Sequence, residues 1–349
     1  MPQIKLIQWN MLAQSCIKRE NYPLASKKCL KKRYRDEVMV NLIKKVTPDV
    51  ITCQEVGNYD FLKTNLIGFN SLYESYGRAK HGIAIFYNKK FNLVHSFREE
   101  LLPFKCIWTR ETSFIIGTVF EYNGIKFLVA TTHLYWHPMA DYARLRAVVG
   151  CLLALNKYKE LPVIFAGDFN STPDSAAINL CLTSKHQFML TRVQINALES
   201  SFVSGSTEES DNASDQIGDY PFNKLWEFID LKLKNNELLT LRNAYCNYEM
   251  QYPTVLAENR LGHSIYANDT SSAYYGINDE LKFTTAADHN PLFTNYCFGF
   301  KACIDYILHH NIHCTDTLKL PNEVDIVNGI PNDTFPSDHL ILGATFELK

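Results

Sequence analysis

The sequence predicts a layered α/β sandwich instead of a doubly wound parallel sheet. Short β-branched runs outnumber amphipathic helices, and the two kinds of segment do not alternate in long, strict β-α-β order. Composition agrees, since 46% hydrophobic and 21% charged residues suit a chain that buries a substantial core.

Ile4–Trp9 opens the chain as a strand and carries no leader pattern. The helix Tyr34–Val46 follows, where Val38, Leu42 and Val46 share a face with Met39 and Ile43 until Thr47-Pro48 ends it. Asp49–Cys53, Gly82–Tyr87, Ser113–Glu121 and Lys126–Thr132 read as strands. A second helix, Asp141–Tyr158, has its stripe at Leu145, Val148, Val149, Leu152 and Leu155. Pro162–Ala166, Ile304–His309 and Leu340–Glu347 complete the strands. Residues 200–220 are acidic and turn-rich, and residues 261–295 are polar and strand-poor, so both are expected as surface loops. No linker separates the core signals, and residues 1–349 are expected to form one catalytic domain.

The net charge of −2 gives no global basic field, so phosphate contacts must come from local clusters. One such cluster is Lys27-Lys28 with Lys31-Lys32-Arg33; it reads first as a solvated face and alternatively as an attractor of an RNA backbone. The 10 cysteines include no C-x-x-C pair, which fits neither a zinc site nor a disulfide scaffold. With no signal peptide, transit peptide or membrane-length apolar run, a cytoplasmic or nuclear location is expected.

Leu161 to Pro173 carries the most chemistry. An apolar run stops at Gly167, and Asp168 and Asn170 follow two residues apart, on one side of an extended chain. A carboxylate and a carboxamide leaving a buried strand together suit divalent-metal chemistry on phosphate. A strand running into an Asx-turn would use the same two residues. Similar islands end other strands: Asn10 after Gln8-Trp9, Glu55 in Gln54-Glu55-Val56, His133 in Thr132-His133-Leu134, and Ser337-Asp338-His339. Taken singly these are equally caps, turns or a core histidine; together they are harder to dismiss. Asp305 lies inside the apolar run Cys303–Ile307 and needs a partner if buried, with a histidine the best candidate.

The order Asn10, Glu55, His133, Asp168, Asn170, Asp305, Asp338, His339 resembles the endonuclease/exonuclease/phosphatase superfamily with the DNase I-like fold, from Gln8 to His339. The resemblance implies a four-layer sandwich of two packed, largely antiparallel sheets flanked by helices, and a Mg²⁺ site that Mn²⁺ can also fill. It implies Glu55 as main metal ligand with Asn10 in support and Asp338 holding the metal region. It also implies that Asp168 activates water and Asn170 stabilises the transition state. His339, oriented by Asp305, and His133 would contact the scissile phosphate. Hard oxygen ligands without thiolates agree with Mg²⁺ or Mn²⁺.

Trp9-Asn10-Met11-Leu12-Ala13, Thr132–Pro138 and Phe300–Ile307 look like the deadenylase-like branch, which holds 2′-phosphodiesterase, Angel, nocturnin and yeast Ngl-type exonucleases. That likeness implies Pro138 and Phe300 as adenine-binding positions, beside which Trp136, His137 and Arg144 are further substrate-binding candidates. A proline face or aromatic ring stacks on a base with little demand for hydrogen bonds; core packing, a loop breaker and a solvated helix-face arginine are the plainer alternatives. The expected activity is Mg²⁺-dependent 3′→5′ hydrolysis of single-stranded RNA with an adenine-rich 3′ end. Cleavage of 2′,5′-oligoadenylate, nocturnin-like removal of a terminal phosphate and an inactive RNA-binding module are the alternatives. No membrane partner is expected, and no leucine-rich repeat is seen for docking into a deadenylation complex.

Overall fold

Alternation along each strand sorts side chains into three apolar layers in the computed structural model. It describes residues 1–77, 79–101, 113–182, 194–196, 198, 200, 222–245, 283–285, 291–321, 323–326 and 328–349. The strands are β1 (Gln3–Asn10), β2 (Val50–Val56), β3 (Phe69–Ser75), β4 (Gly82–Asn88), β5 (Asn92–Glu100), β6 (Phe114–Tyr122), β7 (Ile125–His133) and β8 (Val163–Asp168). They continue with β9 (Arg242–Asn243), β10 (Phe283–Thr285), β11 (Asn295–Cys297), β12 (Phe300–Ala302), β13 (Asp305–His310), β14 (His313–Leu318) and β15 (Leu342–Glu347). The helices are α1 (Lys32–Val46), α2 (Tyr59–Asn65), α3 (Asp141–Asn156), α4 (Ala176–Leu182) and α5 (Phe222–Lys234).

A 7-stranded sheet runs β10-β14-β15-β1-β2-β4-β3 and a 6-stranded sheet runs β5-β6-β7-β8-β13-β9. Only β1·β2 and β7·β8 pair in parallel among the described ladders. Even-numbered residues of β1 turn inward: Ile4 and Leu6 meet Phe114, Phe127, Val129 and Ile164 of the other sheet in one core. Ile7 and Trp9 turn outward onto Met39, Val40 and Ile43 of α1 and Leu62 of α2. The outer face of the second sheet, through Leu128, Ala130, Val163 and Phe165, buries the stripes of α3, α4 and α5. Each such Ile, Val or Phe contributes about 1.5–3 kcal/mol by leaving water. The result is helix, sheet, sheet, helix.

Most strands that periodicity leaves unseen are edges; β14 is the interior exception, lying between β10 and β15. β5 and β3 are largely or half exposed and read as polar chain. Residues 201–220 lie outside the described residues. The loop expected over 261–295 needs correction where it is described: Phe283–Thr285 forms β10 on the edge of the larger sheet, antiparallel to β14, and β11 begins at Asn295. Phe-Thr-Thr is good strand chemistry, but three residues are too few for an alternation to register.

Toward one end of the sandwich the inter-sheet core changes from apolar to polar. The inward positions there are Gln8 and Asn10 on β1, Gln54 on β2, Thr131 and His133 on β7, Asp168 on β8 and Asp305 on β13. Gln8 Nε2 donates to Gln54 Oε1 at 2.7 Å and Gln54 Nε2 to Thr131 Oγ1 at 2.9 Å, so a buried amide chain ties the two sheets together.

Candidate active site

Register places the groups. His133 is opposite Asp168 in the β7·β8 ladder, and Asp305 is opposite Asp168 in the β13·β8 ladder, so three adjacent strands present them in one row. Gly167 permits this approach, because a Cβ there would meet the Thr132 carbonyl oxygen at 2.4 Å. From the other sheet, Asn10 Nδ2 donates to Asp168 Oδ2 at 2.9 Å and lies 3.2 Å from Glu55 Oε1. Asn10 thus bridges the two carboxylates, while its Oδ1 accepts the Leu12 N–H at 2.9 Å.

Glu55 is held at φ +52°, beside a register shift between Cys53 and Val56 in the pairing of β2 with β4. A left-handed non-glycine residue costs about 1–3 kcal/mol. Here the turn carries the carboxylate back over the strand end, where Oε2 accepts the Ala13 N–H at 2.9 Å. Asn170, at φ +48°, donates its backbone N–H to Asp168 Oδ1 at 2.9 Å, and its side-chain Nδ2 donates to the Leu134 carbonyl at 2.8 Å.

His339 is buried, with Nδ1 at 2.8 Å from Asp305 Oδ2 and Nε2 at 3.8 Å from Asp168 Oδ2. Asp305 is engaged on both oxygens: Oδ1 takes the Gln8 amide at 3.0 Å, and Oδ2 takes the Thr294 hydroxyl at 2.7 Å as well as the histidine. His133 approaches Asp168 Oδ2 at 3.5 Å through Nε2. Asp338 Oδ2 takes the Tyr22 hydroxyl at 2.9 Å, while the buried Oδ1 accepts no hydrogen bond among the described residues.

These contacts separate the proton affinities. Burial pushes the Asp168 carboxyl up, the Asp305 charge adds to this, and His339, His133 and Asn10 offset it only in part, leaving it at about 6. Burial also raises Glu55, but His133, the Ala13 N–H, His339 and Asn10 outweigh it and hold that carboxyl below its ordinary value. Asp338 is raised by burial and by the Glu55 charge, against an opposing pull from His339. Burial disfavours a charged His339, yet Asp305 and Asp168 prevail and keep the ring protonated well above the usual histidine range.

Asp168, Asp305 and His339 offer donor atoms within 4.8 Å of one another. Asp305 faces the histidine ring, which it holds at 2.8 Å, with the Gln8 amide on its other oxygen. Glu55 and Asp338, whose Oδ1 accepts no hydrogen bond among the described residues, offer hard oxygens suited to a divalent ion, and the Cys16 thiol beside Glu55 is pushed up to about 12 by burial and by that charge, so it stays a thiol.

The substrate-binding candidates lie at the rim. Trp136 is 66% exposed, with Pro138 exposed and His137 half-buried in the loop after β7. Phe300 is 48% exposed on β12, whose hairpin with β11 packs beside the histidine through an Asn295↔His339 bridge. Arg144 differs from the solvated helix-face arginine that the sequence offered as the plainer alternative. The residue is buried, and its guanidinium donates to the carbonyls of Tyr135, His137 and Pro138 at 3.1, 2.6 and 3.3 Å and to Asp141 at 2.6 Å. With those donors engaged it shapes the loop.

Two positioning groups went unread in the sequence. Arg35 is buried and bonds the carbonyls of Met11, Leu12 and Pro336, locking the Asn10 and Asp338 loops together. Only its basic neighbours show in the sequence, and they mask it. Gln8 did carry a signal, a polar residue between Ile7 and Trp9 in a strand, the same kind that marked Asp305.

The family model described as the Endonuclease/Exonuclease/phosphatase family matches residues 7–339. The chain belongs to that family. As a member it resembles the RNA exonuclease NGL2 of Saccharomyces cerevisiae, 24% identical with 99% of this chain and 78% of the relative covered. It also resembles the 2′,5′-phosphodiesterase 12 of Bos taurus, 25% identical with 99% and 52% covered. A shorter match, 30% identical, joins 49% of this chain to 38% of the probable RNA exonuclease NGL3 of Saccharomyces cerevisiae. The chain thus spans about half or less of the length of two of these three relatives. Among solved structures, ANGEL2, a 2′,3′-cyclic phosphatase in complex with adenosine-2′,3′-vanadate, shares the fold at TM-score 0.64 and 20% identity, with 99% and 95% covered. The human nocturnin catalytic domain shares it at 0.57 and 18%, with 99% and 94% covered.

Proposed function

We propose that the chain is a metal-dependent 3′→5′ exoribonuclease that hydrolyses single-stranded RNA with an adenine-rich 3′ end to 5′-nucleotides. The row of His133, Asp168 and the Asp305–His339 pair, facing Glu55 across the Asn10 amide, carries this reading. Glu55 and Asp338, with Asn10 orienting Glu55, would hold Mg²⁺, or Mn²⁺ in its place. The ion supplies charge neutralisation at the phosphate.

The protein groups do the rest. Asp168, with its raised proton affinity, receives the proton of the attacking water. His339, kept cationic by Asp305, donates hydrogen bonds to the phosphate oxygens as negative charge develops, and His133 does so from the other side. Asn170 has a second amide hydrogen beyond the one given to Leu134 O, available to the same oxygens. Water displaces the 3′-oxygen directly, with no covalent intermediate. Pro138 and Phe300 stack the terminal base, with Trp136 and His137 beside them, on a loop shaped by Arg144. The RNA exonuclease and Ccr4-type relatives support an RNA substrate.

A second reading, hydrolysis of 2′,5′-oligoadenylate, is favoured by the similarity to 2′,5′-phosphodiesterase 12 across nearly the whole chain. Purified protein incubated with Mg²⁺ and poly(A), other homopolymers, 2′,5′-oligoadenylate and NADPH, with products read by mass, separates the readings. AMP released fastest from poly(A) is expected. Preference for the 2′,5′ linkage, or phosphate release from NADPH alone, overturns the first.

A further inference from the structure

The segment that follows the Asn10 loop is strongly basic. Between Lys18 and Arg33 stand seven lysines and arginines against one acid, Glu20, in a chain of net charge −2. Some are neutralised: Lys32 pairs with Asp36 at 2.6 Å and Arg33 with Glu37 at 3.0 Å. Lys18, Lys27 and Lys31 are exposed and pair with no carboxylate among the described residues, and Lys28 lies 4.5 Å over the ring of Tyr34.

This segment is anchored at the mouth of the site. Tyr22 bonds Asp338 next to His339, Gln14 Nε2 reaches the Leu30 carbonyl at 3.1 Å, and Ser26 and Tyr34 bond Asp333 at 3.3 and 2.8 Å. Five residues of chain separate Tyr22 from Lys27, a span of at most about 18 Å. Unneutralised cations are therefore held within a few nucleotides of the scissile phosphate. An exonuclease site takes one 3′ end, and the remaining strand has to leave with a charge at every step.

We propose that Lys18, Lys27, Lys28 and Lys31 form a docking surface for the phosphate backbone of the single-stranded RNA upstream of the cleaved nucleotide. It rests on the reading of this site as an exoribonuclease. The surface reads charge and not sequence, sets affinity for long strands and leaves the hydrolytic step untouched.

The test compares the wild type with K27E/K28E/K31E and with a control of equal charge change, K44E/K45E/K126E. Binding of a fluorescent 20-nucleotide oligo(A) is followed by anisotropy against salt, and hydrolysis is measured on the 20-mer and on diadenylate. For the Lys27/28/31 variant we expect 20-mer affinity to fall at least tenfold at 0.1 M salt, and the slope of log affinity against log salt to shrink by about 2. Diadenylate turnover stays within twofold of wild type and the control binds normally. Unchanged 20-mer binding, equal loss in the control, or equal loss on diadenylate overturns the surface. A wild type that cleaves neither RNA, while the binding loss remains specific to the Lys27/28/31 variant, overturns the exoribonuclease reading and leaves the surface standing.

Discussion

His339 Nδ1 lies 2.8 Å from Asp305 Oδ2, on a carboxylate whose other oxygen accepts the Gln8 amide from the opposite sheet. The pair fixes the ring and its charge together. Asp305→Asn keeps the shape and removes the charge, so kcat is expected to fall about 10²–10⁴-fold with little change in KM. His339→Ala should fall at least as far. Steady-state kinetics of both variants check this, and a near-normal His339→Ala would make the pair structural.

Glu55 meets the proposed ion from a strained turn, with Asn10 and Ala13 setting its angle. Chelation should abolish activity, and Mg²⁺ or Mn²⁺ should restore it. Glu55→Gln should raise the Mg²⁺ needed for half-maximal rate at least tenfold, and Asn10→Ala should do so to a smaller degree. Mg²⁺ titrations of initial rate show whether the ordering holds.

Arg144 holds the loop that bears Trp136, His137 and Pro138. Arg144→Met leaves those carbonyls without their donor and is expected to cost about 2–3 kcal/mol of stability. KM for oligo(A) should rise more than kcat falls. Denaturant unfolding with kinetics on the 20-mer reads both effects, and a kcat loss at constant KM would place Arg144 in the chemistry instead.

His309 provides a pH test remote from the site. Its ring is buried edge-on to Phe346 with Nδ1 at 3.0 Å from the Ile312 carbonyl, and burial lowers its pKa from 6.5 to about 4. The folded chain therefore binds fewer protons than the unfolded chain between those values. The stabilisation is complete above pH 6.5 and is lost as pH falls through 4, roughly 3 kcal/mol in all. Urea midpoints at pH 7 and pH 4.5 should separate less in His309→Gln than in the wild type.

The fold was legible where strands are buried on both faces, as in β1, β4, β7 and β8, since a continuous apolar run survives any register. β3 and β5 were not, because an edge strand facing water reads as loop. In the site, residues that end an apolar run announced themselves, as Asp168 and Asn170 do after Gly167 and as His133 does after β7. Arg144 and Arg35 were misread or unread for one reason. An arginine on a helix looks solvated until the carbonyls it serves are known, and those come from loops whose paths no periodicity encodes. Which oxygen of Asp338 stays unbonded depends on Tyr22, 316 residues away, and lies beyond sequence reasoning altogether.

The pairing of β1 with β15, from Gln3 opposite Glu347 to Gln8 opposite Leu342, has a consequence for integrity. Trp9 Nε1 donates to the His339 carbonyl and Ser337 Oγ to the Asn10 carbonyl, partners 330 and 327 residues apart. Each half of the site thus rests on the other, so a nick that frees either strand dismantles the row of polar groups and not merely one seam of the sheet.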